Sequence, residues 1–240
     1  MRNYFTFAGR PSTDFGLYIN GQGTFSSPAH SFEVTPIPGR NGDLLFDNKR
    51  FENGSLKYPS FIMKDFKSNM AALRSFLNSK RTYQRLEDTY HPDEFRMAVF
   101  KEAIEPSVWF DNSYGDLDIT FYCKPQRFLK SGETKLEFTE SPFSIENPTL
   151  FPAKPMVRVH ATTDGSGVLT IGGVVITIED IPSFIDLDFE TMNAYFGATS
   201  WNRYIQISTL DYPDLEPGIN NFTFSGDITK VEVTPRWYII

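Results

Sequence analysis

The chain has 240 residues, a length typical of one or two domains, and its 15% aromatic content can fill a sizeable core. The formal net charge of −7 lies wholly in residues 141–240, which hold 5 Lys or Arg against 12 Asp or Glu, whereas residues 1–140 are neutral. Because an acidic surface repels phosphates, this composition argues against nucleic-acid binding by the C-terminal part.

The cysteine content and the first residues indicate where the chain folds. Cys123 is the only cysteine, so a disulfide within the chain is impossible. Residues 1–6 contain no apolar segment of the kind that a secretory signal requires, and the apolar runs are too short to cross a membrane. We therefore expect a protein that folds in the cytosol and does not depend on oxidation.

The N-terminal part predicts short strands joined by turns. Residues 5–7, 15–19 and 31–35 are rich in β-forming side chains, and Gly, Pro, Ser and Asn separate them. This pattern predicts a mainly β domain.

Two turn signals follow the third of these strands. A Pro-Gly pair at residues 38–39 suits the centre of a type II turn, where glycine adopts a positive φ. An Asn-Gly pair at residues 41–42 suits the turn of a two-residue hairpin. We predict a β-hairpin with an exposed arginine on a tight loop, and we expect Arg40, Asn41 and Asp43 to take part in an interaction.

Residues 65–79 are predicted to form a helix. Their apolar residues recur at the helical period and make a single stripe. The stripe consists of Phe66, Met70, Leu73 and Leu77. Asp65 is placed to act as the N-cap, and its charge suits the positive end of the helix dipole. We expect this helix to pack against a sheet, with its other face either solvated or bound to a partner.

Further strands are predicted at residues 82–86, 95–104 and 116–123. In the last of them apolar and polar residues alternate, which predicts that Cys123 is a buried, inert thiol. Trp109 and Phe110 lie between two of these strands. Their aromatic rings could anchor an interface with a neighbouring subunit or belong to the core, and the sequence leaves both interpretations open.

Prolines at four positions in residues 141–155 indicate a stiff connection, and the pattern then changes to short, evenly spaced strands typical of a β-sandwich. The predicted strands are residues 156–160, 168–171, 174–178, 185–189, 204–208, 221–224 and 228–233. Gly172 and Gly173 between two β-branched runs predict a hairpin. We place the domain boundary at residues 140/141.

Residues for catalysis or metal binding are sparse. The histidines, His30, His91 and His160, are scattered and lack metal-ligand spacing. Asp186 and Asp188 share one strand face, which a glycosidase could use, but they can equally face water. We predict no catalytic residue, no cofactor and no metal.

Several motifs resemble the distal tail protein (Dit) family of long-tailed phages that infect Gram-positive bacteria. Those in the N-terminal part are F-x-F-x-G-x-x-S-x-D-F-G-L-Y-I at residues 5–19, P-G-R-N-G-D-L-L at residues 38–45 and F-x-C-K-P-Q-R-F at residues 121–128. Those in the C-terminal part are Asn147-Pro148, I-D-L-D at residues 185–188, P-D-L-E-P-G-I-N at residues 213–220 and T-P-R-W at residues 234–237. Their common order along almost the whole chain makes a chance match improbable.

This resemblance implies a structural protein and not an enzyme. It implies an N-terminal β-sandwich-like domain with one packed α-helix (residues 1–140), which forms a ring of six copies around the channel through which DNA passes. It also implies a C-terminal galectin-like antiparallel β-sandwich (residues 141–240). The implied partners are further copies of the chain, the major tail tube protein, the tail-associated lysin or tail fibre protein and, in some phages, receptor-binding or baseplate proteins. The implied location is the virion tail tip, after synthesis in the host cytoplasm from a phage or prophage gene, with no membrane contact.

Two other functions remain open at this point. A host-glycan adhesin or carbohydrate-binding module is one, because residues 201–203 (Trp-Asn-Arg) contain the residue types that hold sugars in galectins, although the galectin motif itself is absent. A glycoside hydrolase that uses Asp186 is the other, and it would lose its activity on Asp186→Asn.

Overall fold

The structure, a computed structural model, describes residues 2–109, 113–162 and 164–240. It divides the chain into two compact units, the first running to Arg127 and the second comprising Phe128–Ile239. This division lies upstream of the boundary at residue 140 that the sequence suggested. The cause is a long-range pairing: Leu136 and Phe138 lie opposite Val233 and Val231, so residues 128–140 belong to the second unit.

The first unit is a β-sheet with a helix packed on it. Its elements in chain order are β1 (Phe5–Phe7), β2 (Arg10–Pro11), β3 (Leu17–Ile19), β4 (His30–Thr35), β5 (Leu44–Phe51), β6 (Gly54–Ile62), α1 (Phe66–Ser79), β7 (Gln84–Asp88), β8 (Glu94–Phe100), β9 (Ser107–Trp109) and β10 (Tyr114–Leu129). The main sheet has the order β2-β1-β7-β8-β10-β6-β3, and β9 pairs with β10. Strands β4 and β5 pair only with each other among the described residues.

Aromatic packing around one strand residue holds this sheet together. Phe121 on β10 is fully buried, and its ring lies 5.3 Å from the ring of Phe5 and 4.8 Å from that of Phe7. Tyr58 on β6 is also fully buried, and its hydroxyl donates to Asp88 Oδ2 at 2.7 Å. Burial and the neighbouring carboxylate raise the pKa of Tyr58 well above its usual value, so its hydroxyl remains a donor.

The helix agrees with its sequence pattern except at its start. The predicted stripe, Phe66, Met70, Leu73 and Leu77, is the buried face of α1. Asp65 precedes the helix but its side chain makes no capping bond, because its φ of 51° is left-handed. A capping side chain requires an extended backbone at that position, so the expectation of an aspartate N-cap was wrong.

The second unit is a β-sandwich. Its strands are β11 (Leu136–Phe138), β12 (Phe143–Asn147), β13 (Met156–Ala161), β14 (Gly165–Ile171), β15 (Val174–Ile181), β16 (Phe184–Asp188), β17 (Asn193–Phe196), β18 (Thr199–Ser200), β19 (Ile205–Ile207), β20 (Gly218–Gly226), β21 (Ile228–Thr234) and β22 (Tyr238–Ile239). One sheet has the order β11-β21-β13-β16-β17-β18, and the other has the order β12-β20-β14-β15-β19.

Side chains from both sheets form the core of this sandwich. Val157 and Val159 of the first sheet belong to the same buried cluster as Leu169 and Ile171 of the second. Gly172 and Gly173 join β14 to β15 with φ values of 56° and 92°, as the hairpin signal predicts. The mainly β fold class with a packed helix is confirmed, and the likeness of the sandwich to galectins stays a prediction.

We expect Phe121→Ala to destabilise the first unit by about 3–5 kcal/mol, because it removes a fully buried ring and leaves a cavity. Chemical denaturation followed by tryptophan fluorescence would measure the change. Phe25→Ala is the matched control, since Phe25 is 74% exposed and the same truncation there should change stability by less than about 1 kcal/mol. Equal losses for the two variants would contradict this packing.

Candidate interaction surface

The β4–β5 hairpin exposes apolar side chains on both of its faces. Val34 lies opposite Leu45, and Glu33 lies opposite Phe46. Opposed residues share a face and successive residues alternate, so Leu45 and Phe46 point to opposite sides. Leu45 is 59% exposed and Phe46 is 52% exposed, and no residue of β5 is buried. Such a ribbon has no core of its own.

The predicted interaction residues Arg40, Asn41 and Asp43 lie in the loop at the tip of this hairpin, and all three are exposed. The Arg40 N–H donates to the carbonyl of Ile37 at 3.2 Å, and Gly39 has a φ of 79°, which fits the predicted Pro-Gly turn.

The Asn-Gly pair at residues 41–42 does not close a two-residue hairpin. Thr35 lies opposite Leu44, so the whole segment 36–43 connects the strands. The pairing of β4 with β5 ends at Thr35 and Leu44, further from the tip than an Asn-Gly turn would allow. The reason is that the Pro-Gly turn already occupies the first half of the connection.

Trp109 lies in a second exposed apolar region. Its indole N–H donates to Asp116 Oδ2 at 3.0 Å, and the side chain is 50% exposed. Trp109 lines a groove of about 560 Å³ together with Met63, which follows β6, and Tyr114 at the start of β10. A core role for Trp109 is therefore excluded by its exposure, whereas Phe110 lies outside the described residues.

Each of the two carboxylates considered for glycosidase chemistry accepts hydrogen bonds from an arginine. Arg158 donates two hydrogen bonds to Asp186, at 2.7 and 2.9 Å. Arg236 donates to Asp188 Oδ1 at 2.6 Å, and both aspartates are largely buried. A general acid needs access to its substrate, whereas both of these carboxylates are largely buried and bound by arginines.

A charged network continues across the same sheet at Glu232, which is 5% exposed. Burial alone would raise the pKa of Glu232, but hydrogen bonds from Lys135 and Lys230 and the nearby His160 lower it to about 2. The Lys135 and Lys230 ammonium groups lie 2.8 and 2.5 Å from its two oxygens. This network is structural, because it joins Glu232 to Lys230 on its own strand, to Lys135 just before β11 and to His160 on β13.

The candidate sugar-binding residues are used within the fold. The Trp201 indole N–H donates to the carbonyl of Asp180 at 3.1 Å, and the ring packs against Phe196 and Tyr204. Asn202 accepts a hydrogen bond from the Ala194 N–H, and Arg203 donates to the Tyr204 hydroxyl.

The histidines likewise have separate local roles. His30 packs on Phe51, Arg127 contacts His91, and His160 pairs with Glu232. Within residues 2–109, 113–162 and 164–240, no group of three or more His, Cys, Asp or Glu side chains could hold a metal ion. None of the helices in that part of the chain has the length and apolar character needed to cross a membrane.

Sequence reasoning missed the most unusual feature of the hairpin, which is the exposure of both faces. The signal was present: Leu44, Leu45 and Phe46 are three consecutive apolar residues, so a strand must be apolar on both sides. Such a run is also typical of a strand buried in a sheet, and only the structure distinguishes the two cases.

Comparison with solved structures identifies the architecture. The structure is similar to that of SPP1 Dit (gp 19.1), described as a paradigm of the hub adsorption apparatus in phages that infect Gram-positive bacteria, with a TM-score of 0.74. The identity is 15%, and the match covers 97% of this chain and 98% of that chain. The chain has a Dit-like fold.

Two further matches are chains of the phage P2 baseplate in its activated conformation, with Ca and with Sr. Each has a TM-score of 0.57 and 9% identity, and covers 97% of both chains. No protein-family model and no curated protein sequence matches the chain. The similar structures are thus hub and baseplate proteins of phages.

We expect Glu232→Gln to destabilise the protein at neutral pH by about 1.5–3 kcal/mol, the range for hydrogen bonds to charged groups. The folded pKa of Glu232, about 2, is below its ordinary value of 4.5, so its stabilising effect is complete above pH 4.5 and falls as the pH drops towards 2. Denaturation of both proteins across that pH range would measure it.

The control for this prediction is Glu137→Gln. Glu137 pairs with Lys230 at 3.5 Å but its side chain is 57% exposed, so its loss should cost less than about 1 kcal/mol. A difference between wild type and Glu232→Gln that stays constant between pH 4.5 and pH 2 would show that folding does not lower the pKa of Glu232.

Proposed function

We propose that this chain is a distal tail protein, a structural and non-catalytic component of the tail tip of a long-tailed phage. Copies join through the first unit into a closed ring, six in number, that surrounds the channel through which DNA leaves. The full-length likeness to hub and baseplate proteins supports this role. The observation that carries the assembly step is the β4–β5 hairpin, whose exposed apolar residues require another surface.

The arrangement of partners follows from this position in the tail. The major tail tube protein lies on one side of the ring, and the tail-associated lysin or tail fibre protein lies on the other. The acidic second unit faces outward, where its charges are solvated, and offers a scaffold for receptor-binding or baseplate proteins.

The chemistry of the first unit favours self-association. Residues 1–127 hold 16 basic and 15 acidic residues, so copies of this unit can approach with little net repulsion. Repeated head-to-tail contacts generate a ring when their rotation closes, and such contacts need two different patches on each copy. The hairpin is one such patch, and it lies apart from the core of its own unit.

We expect the full-length protein to form oligomers when concentrated, and the double variant Leu45→Glu with Phe46→Glu to remain monomeric. A buried apolar side chain contributes about 1.5–3 kcal/mol, or a factor of about ten or more in the association constant for each residue. Light scattering coupled to size-exclusion chromatography measures the mass, and circular dichroism checks the fold.

Leu210→Glu is the matched control for this experiment. Leu210 is 97% exposed in the second unit, so the same change of side chain there should leave the mass unchanged. A wild-type protein that stays monomeric at every concentration, with no ring in electron micrographs, would overturn the ring proposal.

A further inference from the structure

The first unit carries, besides the hairpin, a groove with matching chemistry. Its exposed lining includes Met63, Trp109 and Tyr114, which are between 41% and 50% exposed. Trp and Tyr in a pocket are the residue types that most often anchor protein interfaces. The groove is open to solvent and has a volume of about 560 Å³.

Acidic residues lie directly beside this groove. A neighbouring depression of about 370 Å³ shares Phe61 and Asp116 with the groove and is also lined by Glu105 and Asp118. Asp118 pairs with Lys57 at 2.6 Å, and Asp116 accepts from Trp109. Glu105 is exposed. The acceptor region therefore has an apolar part and an acidic part.

The tip of the hairpin has the complementary order of side chains. Arg40 lies in the tip loop together with Asp43, and the apolar residues Leu44, Leu45 and Phe46 begin four positions after Arg40. All four are exposed, so the hairpin does not occupy the groove of its own chain. One copy thus presents both a projecting element and a receiving groove, which is what a head-to-tail contact needs.

We propose that the hairpin tip of one copy binds in the Met63–Trp109–Tyr114 groove of the next copy, with Arg40 paired to Glu105. This inference rests on the proposed ring and names the two surfaces that form it. Leu45 enters the apolar part of the groove, and the Arg40 guanidinium lies over the acidic depression. The charge pair fixes the register of the contact and disfavours other placements of the ribbon.

Cysteine cross-linking tests the contact directly. The native Cys123 is 2% exposed, and burial raises the pKa of its thiol to about 12, so it gives no background. We expect Leu45→Cys protein mixed with Met63→Cys protein to give disulfide-linked pairs on oxidation, and the variant that carries both changes to give a ladder of linked copies. Leu45→Cys mixed with Val175→Cys, which is exposed in the second unit, is the control and should give no such pairs.

A charge exchange tests the role of Arg40. We expect Arg40→Glu to weaken assembly at least tenfold, and Arg40→Glu with Glu105→Arg to restore it. A protein that assembles normally without the Leu45–Met63 link, or an exchange that fails to restore assembly, would overturn this inference and leave the ring proposal standing. A protein that forms neither oligomers nor links at high concentration would overturn both.

Discussion

A two-stranded ribbon cannot bury both of its faces by itself, and this constraint decides how the chain can function. The buried core of the first unit lies around Phe121 and beneath α1. The β4–β5 hairpin lies outside this core, because Leu45 and Phe46 point in opposite directions and both remain exposed. Leaving such residues in water costs free energy, so a second surface is the natural complement of this element.

The second unit contains an excess of acidic residues, and several of them are neutralised within the fold. Several of its carboxylates are placed on one sheet opposite basic side chains: Asp186 with Arg158, Asp188 with Arg236, and Glu232 with two lysines. The same pairs also leave these acids unavailable for catalysis, because a largely buried carboxylate that is bound by a basic side chain cannot reach a substrate. The same ion pairs therefore stabilise the sandwich and fit the proposed role as a scaffold that carries out no catalysis.

The two units differ both in their exposed apolar surface and in net charge. The unit with balanced charge carries the exposed apolar hairpin and groove, and the unit with excess negative charge carries a closed core. A contact between copies is favoured where net repulsion is absent, whereas an acidic sandwich remains well hydrated. The Dit-like fold thus combines a unit that exposes an apolar hairpin with an acidic unit that has a closed core.

Local patterns in the sequence determined the elements themselves. The stripe of α1, the alternation that buries Cys123 and the turn at Gly172 all depend on residues a few positions apart, whose spacing sets the faces of helices and strands. The resemblance of the ordered motifs supplied the architecture that the fold comparison then matched.

Only the tertiary structure decided which strands are covered and which charges meet. The pairing of Leu136 with Val233 moves the unit boundary, and Arg236, in the segment between β21 and β22, reaches Asp188 at the end of β16. The run from Leu44 to Phe46 is compatible with a buried strand or an exposed one. Its exposure depends on what packs around it, and packing between segments far apart in the chain leaves no periodic signal in either of them.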